Sequence, residues 1–196
     1  IKTKLSYSFV KTTFEESYRS AIKLAEQKYL LVIGDTDTIL CKNLEDFLLN
    51  LNDTQEEIMT YIFDNTETSY EIPKKYINEE LILLNTRNFS TFLMPYTPTF
   101  IGNVIFSKDY INVCLTKSKS LKTEMPHLYP YLYSLINSKS AYYTKSIVSP
   151  DSMPREWSPM QDKFNSLDLV RVYSFTLKGE SFSKLSFPFF KILISF

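Results

Sequence analysis

Two short apolar runs separated by one helical stretch constrain the fold more than any other feature of this chain. KYLLVI (28–33) and EIMTYIF (57–63) are nearly continuous in apolar residues, the pattern of strands buried on both faces. Between them NLEDFLLNLN places Leu44, Phe47, Leu48 and Leu51 at helical spacing. Ahead of them lie an alternating aromatic run, KLSYSFV, and a second helical pattern, FEESYRSAIKLAEQ. There Thr13 and Glu16 form a capping-box signature. Strand, helix, strand, helix, strand predicts an α/β fold built on a mostly parallel sheet with right-handed crossovers.

The rest of the chain is consistent with one domain over 1–196. Residues 64–95 carry charge, Asn and Thr, and predict strands and loops at the sheet edge. FIGNVIFSKDYINVCL reads as a turn, a short strand and a helix. HLYPYLYSLINS is a helical stripe with a proline near its start, AYYTKSIVSP a strand, and DSMPREWSPMQ a loop bounded by prolines. DKFNSLDLVRVYSFTL is compatible with a helix or with a helix and a strand. The chain starts at Ile1 and ends in the apolar FPFFKILISF, which predicts a fragment or a protein with segments missing. No apolar run reaches the roughly 18 residues of a membrane span. Basic and acidic side chains balance at 22 each, so nothing predicts a large nucleic-acid footprint. Cys41 and Cys114 fit neither a disulfide framework nor a zinc pattern, in keeping with a reducing compartment.

The chemistry concentrates where KYLLVI ends, in GDTD (34–37). Ligands of an open parallel sheet bind beyond the carboxyl ends of its strands. Asp35 and Asp37 stand at such an end, one residue apart, after a glycine that lets the backbone turn. Two carboxylates so placed suit a hard cation, Mn²⁺ or Mg²⁺, that keeps waters and binds phosphate oxygens. Turn and cap chemistry alone also accounts for Asp and Thr there. Two enzyme classes use the arrangement: haloacid-dehalogenase-like phosphatases, with Asp35 as nucleophile, and GT-A glycosyltransferases, with an Asp-x-Asp metal motif. The phosphatase pattern asks for Gly and Thr after the second aspartate, where Thr38 and Ile39 stand.

SYRSAIKLAEQKYLLVIGDTDTIL resembles the family 2 glycosyltransferase segment in which a helix leads into a strand and an Asp-x-Asp turn. LLVIGDTDTIL is close to the form found in relatives of abequosyltransferases. FIGNVIFSKDYI looks like that family's acceptor-side segment, and MPHLYPYLYSLINSKSAYYTKSIVSP like a later helix and strand of the same relatives. The resemblance covers about residues 5 to 160. It implies a GT-A fold and transfer of a sugar from a nucleoside-diphosphate-sugar to a hydroxyl acceptor. That acceptor would be a saccharide or lipid-linked saccharide of bacterial surface polysaccharide or lipopolysaccharide assembly, handled in the cytoplasm or at the inner membrane's cytoplasmic face. Asp35 and Asp37 match the metal motif. Two departures stand out: the family's opening strand and nucleotide-base loop would precede Ile1, and TEMPHLYPY replaces the usual Glu-Asp pair. A degenerate, non-catalytic binding domain is therefore the third reading.

Candidate bases for the acceptor hydroxyl are His127, the only histidine, and Glu124, which would share a face with it if the segment is helical. Both also fit plain structural or surface roles. Arg155 could close over a diphosphate and Trp157 could stack on a sugar. Asn103 could line the acceptor cleft or simply make a turn. Tyr129, Tyr131 and Tyr133 cannot all face one side of a helix.

Overall fold

The computed structural model describes residues 13–34, 37–53, 58–64, 79–84, 101–123, 125–149, 171–172 and 174–176. Seven strands and four helices lie within these ranges, and residues 171–172 and 174–176 are also helical. Helix α1 (Phe14–Leu24) opens on the expected capping box: Thr13 N–H donates to Glu16 Oε2 at 3.2 Å, and Glu16 N–H to Thr13 Oγ1 at 3.3 Å. The chain continues through β1 (Tyr29–Leu31), β2 (Thr38–Ile39), α2 (Cys41–Asp53), β3 (Thr60–Phe63) and β4 (Leu81–Leu84). A 3₁₀ turn (Ile101–Asn103) leads into β5 (Val104–Ser107) and α3 (Lys108–Lys117). Then come α4 (Leu128–Ile136), β6 (Ser140–Tyr143) and β7 (Val148–Ser149). Pro130 is tolerated in α4 because it is the third helical residue, where an N–H has no intrahelical partner.

Five strands pair in the order β1-β5-β3-β6-β4. The expected mostly parallel sheet is corrected here. Among the described residues only β3–β6 is a parallel pair, whereas β1–β5, β3–β5 and β4–β6 are antiparallel. The cause is the insertion of β5 between β1 and β3, with Leu30 opposite Phe106 and Ile62 opposite Val104. Because β1 and β3 both oppose β5, they still run the same way, joined through α2 as the strand-helix-strand pattern requires. KYLLVI is therefore a terminal strand of the described order and not a central one. Tyr29 and Leu31 are half-buried and Ile33 is exposed.

The pleat sorts the strand side chains into two cores. Leu30, Ile62, Ile82, Leu84, Val104, Phe106 and Tyr142 face one layer, made by Tyr18 and Ile22 of α1, the buried faces of α3 and α4, and Val172. Tyr61, Phe63, Ile105, Ala141 and Tyr143 face the other, where Phe47 of α2 packs with Leu44, Leu51, Ile147 and Val148. This is a three-layer α/β/α arrangement. Arg19 ties α1 to α3, donating to the carbonyls of Leu115 at 2.8 Å and Ser118 at 3.0 Å while its Nε holds Glu15. On α4, Tyr129 and Tyr133 stack on one side, whereas Tyr131 is fully buried.

Candidate functional site

Strands β1, β3 and β6 share a direction, so their carboxyl ends form one edge with the amino end of β5. Four features meet there: the Gly34–Asp37 turn after β1, Gly102 and Asn103 before β5, Asp64 after β3, and Thr144 and Lys145 after β6. Counted along the registers, Gly34 and Asp64 both fall level with Gly102. Neighbouring strands lie about 4.8 Å apart, which separates the ends of β1 and β3 by about 10 Å.

The turn after β1 is closed from both sides. Asp37 N–H donates to the Gly34 carbonyl at 3.3 Å, and Gly34 N–H donates to Asp37 Oδ2 at 2.8 Å. Asp37 is half-buried. Directly after it, β2 pairs antiparallel with β7, Thr38 opposite Ser149 and Ile39 opposite Val148. Leu40 N–H continues the ribbon to the Ile147 carbonyl at 2.9 Å, and Asn43 Nδ2 reaches the Ser146 carbonyl at 2.6 Å. Asp37 is thus one residue from a strand pair whose other member runs into the segment carrying Arg155 and Trp157. Those two residues lie outside the described residues, as do Asp35 and Glu124.

The remaining expected site residues are inside the protein. Asn103 is 1% exposed, in the 3₁₀ turn. His127 is 2% exposed and precedes α4 as its N-cap residue. A short turn, residues 137–139, joins α4 to β6. Helix α4 starts at Leu128, directly after His127. A local turn precedes it, in which Met125 N–H donates to Thr123 Oγ1 at 2.9 Å.

One edge residue escaped the sequence reading. Asp64 directly follows β3, its N–H donates to the Tyr143 carbonyl at 3.1 Å, and its Oδ1 accepts from the Tyr142 hydroxyl at 2.8 Å. The signal was present: an aspartate closing TYIF repeats the logic of an aspartate closing LLVIG. Lys145, beside it on the edge, pairs with Glu80 at 2.8 Å and lies 3.7 Å from Asp46 of α2. The Lys145 bond holds the Glu80 carboxyl below its usual range, and the same bond raises the Lys145 amine.

Among the described residues no three His, Cys, Asp or Glu side chains group as a metal-ligand set. Of the two expected ligands only Asp37 lies within the described residues, and its Oδ2 accepts the Gly34 N–H. A Cβ on Gly34 would come within 2.7 Å of Asp37 Oδ2, so the glycine leaves the space the carboxylate occupies. Among the described residues no helix is long and apolar enough to cross a membrane. Neither the known protein families nor the curated proteins contain a match to this chain.

Proposed function

We propose that the chain is a GT-A-type glycosyltransferase domain that moves a sugar from a nucleoside-diphosphate-sugar to a saccharide or lipid-linked saccharide acceptor. Its setting would be the cytoplasmic side of bacterial surface-polysaccharide assembly. The observation that carries the reading is the closed Gly34–Asp37 turn at a strand's carboxyl end, with the β2–β7 ribbon directly after it. Asp35 and Asp37 would hold Mn²⁺ or Mg²⁺, which would offset charge on the diphosphate leaving group. Arg155 would bind the diphosphate through its planar fork of donors. Trp157 would offer an apolar face to a sugar ring. His127 or Glu124 would take the proton of the acceptor hydroxyl. For His127 this requires an acceptor that reaches an enclosed imidazole.

A screen of nucleoside diphosphates and nucleotide-sugars with Mn²⁺, read as thermal shift, tests the proposal. At a hundredfold excess over Kd, binding adds about 2.7 kcal/mol, which for a chain of this size raises the midpoint by about 5–10 °C. Asp37→Asn retains an oxygen for the Gly34 N–H and removes the charge. It is expected to keep the unliganded midpoint and to lose the shift. Turnover undiminished in EDTA sinks the metal assignment, and fast hydrolysis of a generic phosphate ester through Asp35 replaces the reading with a phosphatase.

A further inference from the structure

Charge balances over the whole chain but is not spread evenly along it. The stretch YINVCLTKSKSLKT (110–123) holds three lysines and no acidic residue. Helix α3 ends inside it at Lys117. A turn follows, in which Lys119 N–H donates to the Thr116 carbonyl at 3.4 Å and Leu121 N–H to the Ser118 carbonyl at 3.0 Å. Ser118 and Leu121 are buried, which leaves Lys117, Lys119 and Lys122 exposed around them. A fourth cation arrives from far along the chain: the exposed Arg171 donates through Nη1 to the Lys122 carbonyl at 2.9 Å. Arg19 fixes the same turn from α1 through the Ser118 carbonyl, with its own charge offset by Glu15.

An apolar and an aromatic group border these cations. Val113, one helical turn before Lys117, is 51% exposed. The half-buried Tyr133 of α4 carries the Lys117 amine 4.3 Å from its ring centre and 2.6 Å from its hydroxyl. We propose that this face docks on an anionic bilayer surface. Lysines and arginines near such a surface each add roughly fivefold to binding, and about four are enough to form a recognisable cluster. A nucleic-acid strand offers the same phosphates, but it needs a row of rings to stack its bases, and this face presents one half-buried tyrosine. An amphipathic ring and an exposed valine suit the headgroup layer instead. The proposal goes beyond the sugar-transfer reading, because the surface needs neither metal nor nucleotide. It would hold the domain where a lipid-linked acceptor lies.

The test is co-sedimentation of the whole chain with vesicles of phosphatidylglycerol mixed into phosphatidylcholine, without metal or nucleotide. Binding is expected to these vesicles and not to pure phosphatidylcholine. It should vanish near 1 M salt, where the screening length falls to about 3 Å. Lys119→Gln and Lys122→Gln should each weaken binding roughly fivefold, and together roughly 25-fold. Both side chains are exposed, and Arg171 bonds only the backbone of Lys122, so the thermal midpoint should hold. Lys42→Gln removes an equal, exposed charge from α2 across the sheet and should weaken binding far less. Equal binding to both vesicle types overturns the proposal, and so does a Lys42→Gln loss as large as that of Lys119→Gln. A single-stranded oligonucleotide that displaces the vesicles at equal phosphate concentration overturns it in favour of a nucleic-acid surface. Vesicle binding in a protein that no nucleotide stabilises upholds this surface and removes the glycosyltransferase reading alone.

Discussion

Phe47 decides whether α2 stays on the sheet. It is the one α2 side chain among those described that is fully enclosed, at 1% exposure, while Leu48 and Leu49 of the same helix are exposed. Its ring meets three others edge to face: Phe63 at 4.9 Å, Tyr61 at 5.1 Å and Tyr143 at 5.3 Å between centroids. Truncation to alanine costs about 3–5 kcal/mol through lost transfer energy and a residual cavity. Leucine keeps most of the volume and loses only the ring contacts. Each such pair is worth about 0.5–1.5 kcal/mol, and pairs around one ring do not add in full. We expect Phe47→Leu to lose about 1.5–2 kcal/mol and Phe47→Ala about twice that. A chain of this kind holds about 5–15 kcal/mol in total, so the alanine variant loses a large share of its stability and loosens α2 first. Urea denaturation followed by far-ultraviolet circular dichroism measures both. Phe47→Leu should shift the midpoint at constant slope, and Phe47→Ala should also flatten the slope as α2 detaches. Equal losses for the two variants, or less than about 1 kcal/mol for alanine, would refute the assignment of α2 docking to this ring cluster.

Arg19→Lys keeps the charge and loses the planar fork that serves Glu15, Leu115 and Ser118 at once. It should cost about 1–2 kcal/mol in urea titrations, with Arg19→Ala costing somewhat more; a lysine variant as stable as the wild type contradicts this. Burial pushes the Cys114 thiol up to about 11 and raises the Tyr18 and Tyr110 hydroxyls further. For such groups the folded state holds its protons longer than the unfolded one. Stability is then complete below the ordinary thiol range and falls as pH rises through about 11. The urea midpoint should drop between pH 8 and pH 10.5, and Cys114→Ala should remove part of the drop; a flat profile refutes it.

Local features survived the passage from sequence to structure, and long-range ones did not. The capping box of Thr13 and Glu16, the stripe of Leu44, Phe47 and Leu51, and the turn-strand-helix order of FIGNVIFSKDYINVCL each depend on residues within a few positions. The pairing of β5 between β1 and β3 depends on residues more than forty positions away. An apolar run looks the same whether its neighbour is parallel or antiparallel. Leu48 falls on the expected stripe yet is exposed, because α2 meets the sheet through a narrower face than its periodicity allows. At the site, the carboxylate after β1 was legible as residue type and strand end. Its Gly34 contact, and the burial of His127 and Asn103, follow from tertiary placement. KLSYSFV and DSMPREWSPMQ lie outside the described residues.

The β2–β7 ribbon also sets an order of events. Thr38 finds its partner at Ser149, in a chain of 196 residues. During synthesis Asp37 leaves the ribosome more than a hundred residues ahead of the strand that braces its turn. Closing so long a loop is slow compared with forming α1 or α2. The five-stranded sheet waits almost as long, because β6 (Ser140–Tyr143), which pairs with both β3 and β4, ends only a few residues before β7. A nascent chain stopped before residue 147 would carry both aspartates and lack the ribbon that holds their turn in place.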